Sequence, residues 1–411
     1  MTEPRQTILI AGAGIAGLCA ALAFARRGAQ VRIFDRAEKL EEVGAGLQLS
    51  PNATRLLARL GVLDELLESA VEPEAIVLRR ADSLREIGRV PLGQAARTRW
   101  GAPYLVSHRA DLQRALLNAV ARHPDIELST GIPVRDIDLE GDMPTLTVGA
   151  EAAELAIRGN LIVGADGVWS TIRALSGKTG ESRFVGLLAW RRTIPVDAPV
   201  AQSLRAACGD RNVTAFLHPG FHMVAYPVKA GAAINLAAFT PTRTEMAPGW
   251  GGTGNRRVLE MAMSRTAPPL AALANDGGEW MAWPIHVADL DAPWSAPAGL
   301  ALIGDAAHAM TPFAAQGAAM AIEDAETLAA CVTGQRDDLT GALREWTVAR
   351  RRRVLKVARR GALNHFAWHA WGPAAVARDM MLKARSPQSL MADMDWLYGW
   401  DADQKMTRSK L

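Results

Sequence analysis

Thr7-Ile8-Leu9-Ile10-Ala11-Gly12-Ala13-Gly14-Ile15-Ala16-Gly17 is the stretch on which the fold turns. Thr7 to Ala11 is a short apolar run without alternation, as expected of a strand buried on both faces of a parallel sheet. Three glycines follow at the spacing of a turn that opens a helix over a nucleotide pyrophosphate. Gly12 permits the tight turn, Gly14 lets backbone approach the phosphates, and Gly17 lets the helix pack closely on the strand. The free N–H groups of the first helical turn, where Ile15 and Ala16 sit, then meet phosphate charge. Helical composition runs from Gly14 to Arg27 and stops at Gly28. Gln30 to Phe34 reads as a second strand, with Asp35 at its end placed to accept hydrogen bonds from a ribose hydroxyl. By itself the triplet also suits a glycine turn in another α/β fold.

Two more buried strands end in glycine and aspartate further along the chain. Leu161 to Gly164 leads into Ala165-Asp166-Gly167, and Leu300 to Gly304 leads into Asp305-Ala306-Ala307-His308. A carboxylate at such a place is costly unless bonded. Asp305 suits the hydroxyls of a ribityl chain, whereas either Asp could also bond nearby backbone N–H groups of its own turn. Arg109, at a helix start before Leu112 to Arg122, offers a planar charged donor or a surface ion pair with Asp111. From about Glu181 to Trp283 short alternating runs replace the buried ones, as in Met223-Val224-Ala225-Tyr226, and predict a mostly antiparallel sheet.

The expected architecture is therefore α/β: a Rossmann-like nucleotide domain from residues 1–75, 100–180 and 284–335, interrupted by an inserted, mostly antiparallel sheet. Residues 76–99 and 181–283 supply that insertion, and 336–411 a C-terminal helical region. Helical composition from Ala318 onward is broken near Gly334, Gly361 and Gly372-Pro373. A second glycine pattern, Gly249 to Gly254, follows Met246-Ala247-Pro248 with no strand before it and reads as a loop, so no second nucleotide domain is expected.

Bulk properties exclude several classes. A chain of 411 residues exceeds one ordinary core. A net charge of +3 gives no reason to expect a nucleic-acid or membrane partner. The basic run Arg350 to Arg353, with Lys356, Arg359 and Arg360, reads as a helix with an apolar side and solvated charge. Cys19, Cys208 and Cys331 are odd in number and share no metal or redox spacing, which fits a reducing cytoplasm, argues against a disulfide reductase, and leaves no metal site expected. Arg5 and the apolar run after it imitate a signal peptide, but three motif glycines would break one.

With Val43 to Asn52, His108 to Leu112, Gly164 to Arg173 and Gly304 to Ala325 added, the chain resembles the flavin-dependent aromatic hydroxylases, the group that contains p-hydroxybenzoate and salicylate hydroxylases. The resemblance covers the chain from the first strand to about Ala330. It implies FAD held by Gly12, Gly14, Gly17, Asp35, Arg36, Arg109 and Asp305, with Asp166 in the same framework. It also implies Gln48 and Gln316 near the isoalloxazine ring. Gly317 and Ala318 would open a helix whose N-terminus faces the flavin pyrimidine edge. NAD(P)H reduces FAD in such proteins without a domain of its own, and O2 supplies one oxygen atom to an electron-rich ring through a flavin hydroperoxide. Many relatives carry Glu where this chain has Asp35.

A phenolic substrate needs a base. The candidate is His222, which strand alternation puts on one face with Val224 and Tyr226. Some relatives have a similar His and Tyr pair with the counterpart of Gln316 nearby, so His222, Tyr226 and Gln316 form the expected catalytic set. A strand His is also often only a bonded core residue. His218 competes, though Pro219-Gly220 suggests a turn, and His308 reads as structural. One of Arg191 and Arg192 would suit a substrate carboxylate, and a solvated pair is the alternative. Trp368, Trp371, Trp396 and Trp400 cover the pocket, a subunit contact or only core. The reading is a monooxygenase acting on a small phenolic or heteroaromatic acid, as a monomer or homodimer. A neutral polycyclic substrate would select an epoxidase or a natural-product-modifying monooxygenase, absence of turnover a non-catalytic flavoprotein, and hydride transfer alone a simple oxidoreductase.

Overall fold

The computed structural model describes residues 5–40, 46–150, 153–177, 182–243 and 254–402. Val43 to Ala45 of the resemblance, the second glycine pattern up to Thr253, and the tail from Gln404 lie outside them.

Six strands form the central sheet, in the order Ser295–Ala296, Leu300–Leu302, Leu161–Gly164, Thr7–Ala11, Gln30–Phe34 and Ile126–Ser129. All neighbours run parallel except the Ser295–Ala296 edge. The register sets Ala11 beside Gly164 and Gly164 beside Leu302, so the three strands end level. The glycine turn, the Ala165–Gly167 turn and the Gly304–His308 turn therefore emerge side by side at one sheet edge. Ligands of open α/β sheets bind at the carboxyl ends of such strands.

The second sheet has seven strands, in the order Met281–Val287, Arg183–Pro195, Ala233–Pro241, Phe221–Val228, Asn212–His218, Ala75–Arg80 and Glu86–Pro91. Only the pairing of Asn212–His218 with Ala75–Arg80 is parallel. Alternation divides its side chains between two cores. Trp190, Phe216, Met223 and Leu236 pack outward with Leu204, Leu259 and Leu270 of three covering helices. Val224 and Tyr226 pack inward with the core of the parallel sheet. Ala189, Phe239 and Ile285 also face inward, onto Phe313. The inner face thus stands over the edge where the three turns emerge.

Two sequence expectations about the C-terminal helices are corrected. Gly334 and Gly372 do end and begin helices, Gly317–Gly334 and Gly372–Ala384, but Leu339–Trp368 runs straight through Gly361. A glycine inside a helix costs only about 1 kcal/mol, and here the helix packs Gly361 against Thr311 and Ala314. The basic run is not wholly solvated. Arg350 and Arg353 are 2% and 8% exposed and bind Glu323 and Asp324 of the preceding helix, both fully buried. Buried carboxylates demand paired cations, and the helix turns two of its arginines inward to meet them. Trp396 and Trp400 lie under the Arg353 guanidinium at 5.5 and 5.1 Å, so they belong to this core, while Trp371 is exposed. Among the described residues no helix is long and apolar enough to cross a membrane, and no cluster is placed to hold a metal ion.

Candidate active site

The glycines of the first turn divide by cause. A Cβ on Gly17 would lie 1.9 Å from the Gly12 carbonyl oxygen, so this glycine is required by helix–strand packing. Gly12 has φ +104° and a Cβ there would come within 2.6 Å of the Ala165 carbonyl oxygen. Gly14 differs: its φ of −75° and ψ of −176° suit any residue, and a Cβ would meet nothing within 4 Å. The same open space surrounds Gly317 at the start of the Gly317–Gly334 helix. Protein packing explains neither glycine, whereas a flat cofactor brought against bare backbone explains both. FAD fits this donor set: free N–H groups at two helix starts, an exposed carboxylate at Asp305, and the exposed Arg36 guanidinium beside Asp35.

The acidic residues serve differently from one another. Asp35 accepts from Ala13 N–H at 2.7 Å and Ala37 N–H at 2.9 Å. Its shorter arm thus braces the glycine turn and leaves each oxygen a second lone pair for a ribose hydroxyl. Asp166 is drawn into its own turn, accepting from Ser170 Oγ at 2.5 Å and Ile172 N–H at 3.1 Å, which is the local-turn alternative. Burial pushes its carboxyl upward against those bonds. Asp305 opens the short helix Asp305–His308, after Gly304 at φ +59°. That turn is anchored from below, because Asp324 accepts from Gly304 N–H at 2.9 Å and holds His308 Nε2 at 2.5 Å. His308 is structural, as its motif suggested. Arg109 begins the helix Arg109–Ala121, and Asp111 pairs with Arg114 at 3.1 Å.

Gln48 lies on the strand Gly46–Leu49 and accepts from the Tyr104 hydroxyl at 2.6 Å. That strand is pressed onto the second sheet. Gly46 N–H donates to Asn235 Oδ1 at 2.7 Å, and a Cβ on Gly46 would reach within 2.7 Å of the Tyr226 ring. Burial raises the Tyr226 hydroxyl and opposes its ionisation, with the Arg191 charge acting the other way. Among the described residues the Gln316 side chain makes no hydrogen bond to His222. Its Nε2 donates to Ser50 Oγ at 2.9 Å and its Oε1 accepts from Asn52 at 3.3 Å, and Asn52 continues to Glu323 at 2.8 Å. Through Asn52 the side chain is thus tied to the buried ion pairs below.

His222 is 1% exposed, stacked on Phe239 at 4.6 Å between ring centroids and edge-on to Phe313 and Trp368 at 5.2 and 5.0 Å. Burial first, then the neighbouring His369 and His365, hold its imidazole well below the ordinary histidine range, so it is neutral at neutral pH. His218 instead closes the hairpin, accepting from Gly220 N–H at 3.1 Å. Tertiary structure also separates the two arginines. Arg192 points outward and binds Asp276 through both terminal nitrogens at 2.7 Å. Arg191 is on the inner face, its guanidinium 5.3 Å from the Trp283 ring centroid. Strand register sets Ala189, Phe239 and His222 in one row, Arg191, Ala237 and Val224 in the next, and Thr193, Asn235 and Tyr226 in the third. Sequence reading did not find Tyr104, Asn235 or His369. Only the spacing of His365 and His369, one helical turn apart, hinted at the last.

Cofactor turns at one sheet edge, with an aromatic-lined face of the second sheet packed on Phe313 beyond them, fit a flavoprotein. Comparison with known proteins gives the class its family. Residues 5–360 match the FAD binding domain family, and the chain belongs to it, among the flavin-dependent aromatic hydroxylases. It is 33% identical over 402 residues to 3-hydroxybenzoate 6-hydroxylase 1 of Aquipseudomonas alcaligenes, covering 98% of this chain and 99% of that one. It is 32% identical over 403 residues to 3-amino-4-hydroxybenzoate 2-monooxygenase of Streptomyces cremeus, covering 97% and 96%. Among solved structures, a salicylate hydroxylase substrate complex superposes with a TM-score of 0.80 at 22% identity, covering 98% of this chain and 97% of that one, which supports the fold. The protein is an FAD-dependent monooxygenase that draws its electrons from NAD(P)H.

Proposed function

We propose that the substrate is a small phenolic acid of the hydroxybenzoate kind, with its carboxylate on Arg191 and its hydroxyl on His222. The observation that carries this reading is the pattern of rows on the inner face. Arg191 and His222 lie one row and two strands apart, about 12 Å between α-carbons from strand spacings. The middle strand sets Ala237 beside Arg191 and Phe239 beside His222, so the small Ala237 and Val224 leave room on the Arg191 side while the Phe239 ring stacks on His222. That span suits a single six-membered ring bonded at both ends. Arginine matches a carboxylate with two parallel donors, and the Trp283 face supports the guanidinium from one side. The names of the relatives agree in class: hydroxybenzoates in two of them and 6-hydroxynicotinate in a third.

Bound FAD supplies the reduced flavin that activates O2 and delivers one oxygen atom to the ring. The chain's own residues do the rest. His222, neutral and buried, accepts the phenolic proton, which enriches the ring for attack on an electrophilic oxygen. Phe239, Phe313 and Trp368 exclude water from that hydrogen bond. Gly46, clamped to Asn235, fixes the distance between the Gln48 strand and the sheet. In this arrangement residues 1–75, 100–180 and 284–335 serve the cofactor and 76–99 with 181–283 the substrate. The three cysteines are free and buried, which suits the cytoplasm.

The test is NADH- and NADPH-driven oxygen consumption by the FAD-loaded protein against 3-hydroxybenzoate, 4-hydroxybenzoate, salicylate and 6-hydroxynicotinate, with product mass. A phenolic acid should stimulate consumption and gain one oxygen. Arg191→Gln should raise its KM by about 10- to 100-fold, as for loss of a bidentate charged contact, while the matching phenol without a carboxylate is unaffected. Equal effects on acid and phenol would refute the carboxylate assignment.

A further inference from the structure

Beside His222 stands a second histidine that neither the family's sequence segments nor the relatives' names draw attention to. His369 caps the helix Leu339–Trp368, and its Nε2 lies 3.3 Å from His222 Nδ1. Its other ring nitrogen, Nδ1, lies 2.8 Å from the His365 carbonyl oxygen. A carbonyl oxygen can only accept, so His369 Nδ1 must carry its proton. In the neutral ring His369 Nε2 then has the lone pair and accepts the bond from His222 Nδ1–H. The tautomer of His222 follows: its remaining nitrogen, Nε2, is unprotonated, and it bonds to no other group among the described residues. One chain of hydrogen bonds therefore makes His222 a base at the atom left for substrate, and connects it to a half-buried imidazole nearer the surface.

We propose that His369 is the positioning and proton-relay residue of the hydroxylation, fixing the His222 tautomer and conducting the phenolic proton between His222 and solvent. The inference rests on the phenolic-acid reading above. In the forward step the substrate O–H bond breaks, its electron pair stays on oxygen, and the proton binds His222 Nε2. His222 Nδ1 passes its own proton to His369 Nε2, so His222 stays neutral and His369 becomes the imidazolium that releases a proton to water. When the product ring regains aromaticity its oxygen takes a proton back from His222 Nε2. Water reprotonates His369, which returns a proton to His222 Nδ1, and both starting tautomers are restored.

The surroundings favour transfer over charge storage. His222 is enclosed by Phe239, Phe313 and Trp368, which offer an imidazolium no counter-ion. The titratable groups near the pair are His365, 4.5 Å from His369 between ring centroids, and His218 on the neighbouring hairpin. The charged Arg378 donates to the Ala367 and Trp368 carbonyls at the same helix end. None of these is an acid, and the Asp379 carboxylate beside Arg378 is engaged in an ion pair with it at 2.7 Å. Burial keeps His369 and His365 below the ordinary histidine range too, so the relay is neutral at rest.

The experiment uses the FAD-loaded full chain with NADH and 3-hydroxybenzoate, 4-hydroxybenzoate, salicylate or 6-hydroxynicotinate, whichever stimulates the wild type. His369→Ala should lower kcat by tenfold or more, the lower part of what positioned proton transfer supplies, with KM and FAD content little changed. Added imidazoles should restore the rate, and more basic ones should restore it more, a response that a purely structural histidine would not give. His369→Gln keeps an acceptor for His222 Nδ1–H but cannot carry a proton, so it should retain substrate binding and stay slow. It also serves if the alanine variant folds poorly. An unchanged kcat in either variant, or a loss that imidazole leaves untouched in a flavin-replete protein, would overturn the relay. A wild type that no phenolic acid stimulates would defeat the substrate reading and this inference together, and is distinguished because it is seen before any variant is made.

Discussion

Asp324→Asn tests whether the C-terminal helices hold the flavin turn from beneath. The side chain is fully buried and bonded on both oxygens: Oδ1 accepts from Arg350 Nε at 2.7 Å, and Oδ2 from Gly304 N–H at 2.9 Å with His308 Nε2 at 2.5 Å. An asparagine of the same shape has a single acceptor oxygen. Whichever way it turns, its NH2 faces a donor, either Arg350 or Gly304, and the Arg350 charge keeps only Glu323 as carboxylate partner. Breaking one member of a buried ion pair costs about 3–5 kcal/mol, a large share of the roughly 5–15 kcal/mol by which folded domains are stable. Urea unfolding of the apoprotein should show that loss. FAD affinity should fall as well, because the Gly304–Asp305 turn loses its anchor. The pH dependence has a definite sign. Burial would raise the Asp324 carboxyl, but His308 and Arg350 hold it below the ordinary range. Its contribution is therefore present above the unfolded carboxylate range and lost as pH falls through the lower folded value, and the variant should lack that acid limb. A change below about 1 kcal/mol, within the range of ordinary surface substitutions and small effects, together with unaltered flavin affinity, would refute the anchoring role.

Gly14→Val should give a folded apoprotein that no longer retains FAD, whereas Gly17→Ala, whose Cβ would sit 1.9 Å from the Gly12 oxygen, should fail to accumulate as folded protein. Near-ultraviolet circular dichroism and flavin absorbance separate the two outcomes, and normal flavin content in Gly14→Val would contradict the cradle. His222 has a folded value well below its ordinary 6.5, so the unfolded chain binds the extra proton. Stability should then fall as pH drops below about 6.5, by about 1.4 kcal/mol per pH unit for this group. His222→Phe should make the melting temperature fall less steeply between pH 6.5 and 5.5, His365 and His369 keeping the remainder. Burial pushes the thiols of Cys208 up to about 12 and Cys331 up to about 11 and raises Cys19 further. Native protein at pH 8 should accordingly resist iodoacetamide, and rapid labelling would contradict the packing around them.

The long helix shows why charge patterns along a sequence mislead. Arg350 to Arg353 read alone as solvated charge, yet Arg350 and Arg353 meet Glu323 and Asp324 in the core and connect through Asn52 to Gln316. That same connection holds the Gln316 side chain on Ser50 and Asn52. Three segments distant in sequence thus meet around one buried cluster, and a lone sequence pattern carries no distance information between them.

Local physics made the cofactor half legible. A buried parallel strand, a turn and a helix N-terminus are built from contiguous residues, so Thr7 to Gly17 and the Asp305 turn announced themselves by glycine spacing and apolar runs. Strand alternation likewise placed His222, Val224 and Tyr226 on one face before any contact was known. Tertiary structure alone decided which arginine faces inward, because the pleat puts Arg191 and Arg192 on opposite faces and only the packed helices make one of those faces the outer one. It alone turned Asp166 into a brace of its own turn and brought His369 across 147 residues to His222. Short-range periodicity fixes what a segment becomes, but hydrogen bonds between distant segments exist only once the chain has folded back on itself.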